Sequence, residues 1–142
     1  MKMYYIIPIV LIVLIVLLVG GCALNGQLLN GDGMVDSYAT ISQEEAQKMM
    51  QVDDGHIILD VRRQDEFDEE HIPGAICIPN ESITDTQPEE LPDLHQVILV
   101  YCRSGRRSKE AAQKLFDMGY THVFEFGGII DWTGETVKSE GM

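Results

Sequence analysis

From residue 38 onward the chain alternates short apolar runs with amphipathic, charge-rich stretches. Tyr38-Ala39-Thr40 predicts a short strand. Ser42-Gln43-Glu44-Glu45 matches a capping box, with Ser42 at the N-cap and Glu45 reaching back, and predicts a helix over Gln43–Met50. His56-Ile57-Ile58-Leu59-Asp60-Val61 is apolar almost throughout, the pattern of a parallel strand buried on both faces. Asp65 to Glu70 predicts a short acidic helix, and Gly74 to Pro79 a short strand closed by proline. Residues 81–94 are polar and contain prolines, with one helical turn near Pro88–Leu91. Val97 to Tyr101 predicts the next buried strand, Arg107 to Met118 a helix stopped by Gly119, and Thr121 to Phe126 the last strand. Strands alternating with helices predict an α/β domain with a mostly parallel sheet. In such sheets ligands bind beyond the carboxyl ends of the strands. Asp60-Val61-Arg62 stands at one such end and Cys102 at another.

The residues before 38 follow a different pattern. Lys2 precedes an apolar run from Ile6 to Val19, and Gly20-Gly21-Cys22 follows. A positive start, a short apolar core and small residues predict a secretory signal over residues 1–21. As a helix the run would reach about 21 Å, short of the roughly 30 Å hydrocarbon core. Val19-Gly20-Gly21-Cys22 resembles the lipobox of bacterial lipoproteins. That resemblance implies cleavage before Cys22, lipidation of Cys22, and an extracytoplasmic domain held to a membrane on its periplasmic or cell-surface side. An uncleaved N-terminal membrane anchor is the other reading. Residues 22–37, rich in Gly and Asn, predict a flexible tether, and residues 38–142 form one domain with one core.

Charge narrows the partners. The chain carries 23 Asp and Glu against 10 Lys and Arg, a formal net charge of -13. Such a balance argues against nucleic-acid binding. Against that background Arg103, Arg106, Arg107 and Lys109 gather around one cysteine. A basic spot in an acidic protein is a candidate anion site. Arginine is poorly placed in the first turn of a helix, so the cluster needs a reason other than helix stability.

Cys102 ends a strand, and Arg103-Ser104-Gly105-Arg106-Arg107-Ser108 leads into a helix. The backbone N–H groups of such a loop converge on an anion, and the helix dipole adds positive potential. A thiolate held there ionises more readily than free cysteine and becomes a usable nucleophile. Gly105 permits a tight curl.

Leu59-Asp60-Val61-Arg62, Glu66-Phe67, His71-Ile72-Pro73-Gly74-Ala75, Cys102 with Ser104-Gly105 and Arg107-Ser108, Gly127-Gly128 and Trp132 occur in family order. Together they resemble a single-domain rhodanese, a thiosulfate sulfurtransferase. The resemblance implies a five-stranded, mostly parallel sheet with helices on both faces. It also implies transfer of a sulfane sulfur, with Cys102 as nucleophile and carrier of a persulfide. The donor would be thiosulfate or a persulfide, and the acceptor a thiol or cyanide. No metal, nucleotide or redox cofactor is required, and a monomer suffices. The loop from Arg103 to Ser108 would bind the donor, its N–H groups acting as an oxyanion hole does for oxygen. The alternative function is a persulfide relay or binding module for a partner protein, without turnover on small donors. Phosphatase chemistry needs an arginine six residues after the cysteine; Ser108 stands there, and Arg107 is one residue early.

Other residues read more plainly. Asp60 and Arg62 either orient the loop or form an ion pair, such as Arg62 with Glu66. His71 reads as a hydrogen-bonding turn residue, since a low-pKa thiolate needs no general base. His56, His95 and His122 lack ligand spacing. Phe124 and Trp132 read as packing residues. Cys77 reads as a small buried residue of a strand, the alternative being a disulfide with Cys102.

Overall fold

The computed structural model describes residues 38–140, so the predicted signal over residues 1–21, the lipidation site Cys22 and the tether to residue 37 lie outside the described residues. The strands are β1 (Ala39–Thr40), β2 (Ile57–Asp60), β3 (Ile76–Cys77), β4 (Val97–Cys102) and β5 (His122–Gly128). The helices are α1 (Gln43–Met50), α2 (Gln64–Glu69) and α3 (Arg106–Asp117), with 3-10 turns at Asn80–Ser82 and Ile129–Asp131. The strands form one sheet in the order β1-β5-β4-β2-β3, and every pairing within it is parallel.

Local chemistry explains the element ends. At the start of α1 the Ser42 hydroxyl accepts from the Glu45 N–H at 3.2 Å, and the Glu45 carboxylate accepts from the Ser42 N–H at 2.9 Å, the predicted capping box. The strand predicted over Gly74–Pro79 pairs only at Ile76 and Cys77. Beyond it Ile78 and Asn80 donate to the carbonyls of Asp60 and Val61 in a looser ladder that ends in the first 3-10 turn. The last strand runs two residues past its predicted end, because Gly127 and Gly128 continue the pairing.

Period-2 alternation distributes the strand residues between two cores. Leu59, Ile98, Val100, Cys102 and Val123 pack with Ala111, Ala112 and Leu115 of α3. Ile58, Leu99, Tyr101 and Phe126 pack on the other face with Ala46 of α1. In α3 the buried positions are Ser108, Ala111, Ala112 and Leu115, an i, i+3, i+4, i+7 stripe. Phe124 and Trp132 join the second core, with the Trp132 ring 5.6 Å from that of Phe126. Cys102 is thus the last residue of a central strand, on the α3 face, where the sheet hands the chain to a helix N-terminus.

Candidate active site

Cys102 is 1% exposed and lies at the foot of a recess lined also by Arg63, Glu66, Glu81, Arg103, Ser104, Arg106 and Arg107. Beside it the β4–β5 register slips: Val100 stands opposite Glu125, and Cys102 opposite Gly128. The extra residue in β5 is a bulge of the kind that re-aims side chains at strand ends. Gly128 is needed there because a β-carbon on it would overlap the Arg103 carbonyl. The sulfur-holding loop therefore rests directly on the Gly127-Gly128 backbone.

Gly105 caps α3 with φ +99°, a left-handed conformation that favours glycine. This turn aims the Gly105 N–H at Cys102 Sγ, at 3.1 Å. Burial pushes the thiol up, but the Ser108 hydroxyl and the N–H groups of Ser108, Gly105 and Ser104 pull it down further, and the net result lies below the ordinary thiol value. Of the loop N–H groups, that of Gly105 hydrogen-bonds the sulfur directly.

The arginines divide. The Arg107 guanidinium forms a two-pronged pair with the Glu66 carboxylate, at 2.8 and 2.9 Å. Its hydrogen bond holds Glu66 down at about 2, so the Arg107 charge is already matched. Arg106 reaches Glu110 only at 3.8 Å and is mostly exposed. Arg103 forms no ion pair among the described residues and lines both the Cys102 recess and a neighbouring groove. Arg103 and Arg106 are therefore the cations open to an incoming anion.

The suggested Arg62–Glu66 pair does not form, because Glu66 is taken by Arg107. Arg62 instead turns back to Asp60, with contacts of 2.7 to 3.0 Å, and also donates to the Glu70 carbonyl. Asp60 is fully buried and Arg62 nearly so. The Arg62 guanidinium lies over the Tyr101 ring at 5.9 Å. This pair is on the face away from Cys102 and braces the turn after β2. His71 Nδ1 lies 2.8 Å from the Phe67 carbonyl, and its ring stacks on Phe67 at 3.8 Å. Its backbone pairs with Val137. Cys77 and Cys102 are both free thiols. Cys77 is level with Asp60, and Asp60 with Tyr101, which places Cys77 two strands from β4 and on the face opposite Cys102. Two strand spacings are roughly 10 Å, beyond the reach of a disulfide.

Residues 42–135 match the family model of the rhodanese-like domain. The chain belongs to the rhodanese-like domain family. It is 39% identical over 80 residues to the thiosulfate sulfurtransferase PspE of Escherichia coli, covering 56% of this chain and 77% of that protein. It is 35% identical over 101 residues to the putative sulfur carrier protein YrkF of Bacillus subtilis, covering 70% of this chain and about half of that protein, 54%. A solved structure described as a rhodanese with anions from E. coli superimposes with a TM-score of 0.55 at 37% identity, covering 59% of this chain and 99% of that one. The rhodanese fold accounts for the cradle: β4 ends in a cysteine, and α3 begins where its sulfur lies.

One residue of the site escaped the sequence reading, and another has a different partner from the one suggested there: Glu66 holds Arg107 rather than Arg62. Glu125 is 1% exposed on the α3 face of β5, and its Oε1 accepts from the Ser108 hydroxyl at 2.6 Å. A hint was available: in His122-Val123-Phe124-Glu125-Phe126 an acid occupies the face that Val123 marks as core.

Proposed function

We propose that this chain is a sulfurtransferase that moves a sulfane sulfur from thiosulfate or a persulfide donor to a thiol or cyanide acceptor. The Cys102 thiolate attacks the outer sulfur of thiosulfate. A new S–S bond forms on Cys102, the donor S–S bond breaks, and its electron pair leaves with sulfite. An acceptor nucleophile then attacks the outer sulfur of the persulfide, and the S–S pair returns to Cys102. Nothing is left oxidised or reduced in the protein, so the cycle needs no cofactor. The carrying observation is the Gly105 N–H directed at Cys102 Sγ at 3.1 Å, at the foot of a recess with two open arginines. Arg103 and Arg106 receive the dianionic donor. The N–H groups of Ser104, Gly105 and Ser108 hold first the thiolate and then the persulfide.

A cyanide-plus-thiosulfate assay on the wild type and Cys102→Ser tests this. Activity is expected in the wild type and lost in the variant; activity persisting in the variant would remove Cys102 from the mechanism. The similarity to a putative sulfur carrier supports a second reading, in which Cys102 only relays a persulfide between partner proteins. An inactive wild type that still gains one sulfur (about 32 Da) on Cys102 would favour the relay. Lipidation at Cys22 and placement outside the cytoplasm belong to the same proposal. Intact mass after detergent extraction tests them, and a chain still beginning at Met1 would sink the lipoprotein reading.

A further inference from the structure

We propose that the groove beside the Cys102 recess docks an extended, cysteine-bearing segment of a partner protein, which pairs as a strand along Thr136–Lys138 and takes the sulfur from Cys102. This acceptor class deepens the preceding reading and rests on Cys102 carrying a persulfide.

Two cavities meet at the site. The recess over Cys102 has a volume of about 340 Å³, enough for thiosulfate or cyanide. The neighbouring groove has a volume of about 920 Å³, which so small a reactant does not use. Arg103 and Glu66 line both, so an occupant of the groove has a way to the sulfur. Ile130 is 61% exposed on the groove wall and offers an apolar spot for an occupant to cover. Arg103 and Lys138 form no ion pair among the described residues, and the carboxylates of Glu69 and Glu70 line the same groove. A segment carrying both signs of charge is complementary to such a lining.

A free backbone edge selects a polypeptide over a low-mass thiol. Val137 donates to and accepts from the His71 backbone at 2.8 Å, in an isolated antiparallel bridge. The Ser139 N–H donates to the Asp68 carbonyl at 3.1 Å on the same side. Backbone groups alternate along an extended chain, so the N–H and C=O of Thr136 and Lys138 turn away from His71. None of these groups has a hydrogen-bond partner among the described residues. Thr136, Val137 and Lys138 all line the groove. An unpaired edge is a template for another extended chain, and a small thiol has no backbone to pair with it. The departure of sulfite frees Arg103, the wall that groove and recess share. The acceptor thiol gives its proton to solvent, and its thiolate attacks the outer sulfur of the Cys102 persulfide. An S–S bond forms on the segment's cysteine, the S–S bond on Cys102 breaks, and its electron pair returns to Cys102. The partner leaves as the persulfide, with no net oxidation.

The test uses the full-length protein and a blocked peptide, acetyl-Glu-Val-Cys-Val-Lys-amide, together with its serine version, which docks without accepting sulfur. Amide hydrogen exchange, read residue by residue, needs no sulfur donor and so reports docking whether or not sulfur transfer occurs. Saturating serine peptide should slow exchange of the Thr136 and Lys138 amides about tenfold, and its fully N-methylated form should not. With thiosulfate as donor, kcat/KM for the cysteine peptide should exceed that for mercaptoethanol about tenfold, and Ile130→Asp should lower that ratio. Absence of protection overturns the docking surface, as does equal protection by the N-methylated peptide. Protection that appears without peptide and grows with protein concentration would assign the edge to a second copy and overturn it too. A cysteine peptide no better than mercaptoethanol would return the acceptor to the low-mass thiols. Protection by the serine peptide, with no acceptor of any kind receiving sulfur, would support the docking surface and fault the preceding reading instead.

Discussion

Cys77 and Cys102 lie near the same end of one sheet and face opposite sides of it. Cys77 is on the edge strand β3 and Cys102 on the central strand β4. Burial raises both thiols, so burial alone does not separate them. Cys77 is pushed up to about 11, by burial first and then by the Asp60 carboxylate. Cys102 ends below the ordinary thiol value because N–H groups and the Ser108 hydroxyl point at it. What distinguishes a structural from a reactive cysteine here is the sign of the groups facing the sulfur. The Cys77 face is organised around the buried Asp60–Arg62 pair, which serves stability. The Cys102 face is organised around a helix start, which serves an anion.

This division of labour can be broken in several ways. The largest effect is expected from Arg62→Ala, which strands the fully buried Asp60 charge. The loss should be about 3–5 kcal/mol, read from urea unfolding midpoints at pH 7. A loss within the usual surface range would mean that the pair does not brace the Cys77 face. Next comes selective alkylation. With Cys77 near 11 and Cys102 below 9.0, the thiolate fractions at pH 7 differ by at least about a hundredfold. Peptide mapping after brief iodoacetamide treatment should therefore find label on Cys102, with the gap closing as pH approaches 11. Comparable labelling at pH 7 would abolish the distinction.

Arg103→Ala should raise the KM for thiosulfate about tenfold and leave the alkylation profile of Cys102 in place, because this charge meets the donor rather than the thiol. An unchanged KM would transfer the anion site to Arg106. The smallest effect belongs to Cys77→Ala, whose turnover should match the wild type. Its signature lies in alkaline stability. The folded state holds this thiol above the ordinary 9.0, so its contribution is complete below 9.0 and is lost as pH rises to about 11. The variant should lack that component of the decline in thermal-melt series, and a parallel decline would remove Cys77 as its cause.

Much of this was legible in the chain itself. The apolar runs around Ile57–Asp60 and Val97–Cys102, the Ser42–Glu45 capping box, and a cysteine followed by Gly105 and a helix are local features. Their physics is written in residues a few positions apart: burial period, cap chemistry and a left-handed turn. The rhodanese-like motifs added a five-stranded, mostly parallel sheet with helices on both faces. Tertiary structure alone decided which arginine is spent and which is free. Glu66 and Arg107 meet across 41 positions, and Glu125 and Ser108 across 17. Such pairings depend on sheet register, on a one-residue bulge beside Cys102 and on the rotation of α3 about its axis. Long side chains carry no record of those choices in their spacing, so a sequence can place a charge near a cysteine without saying which partner will hold it.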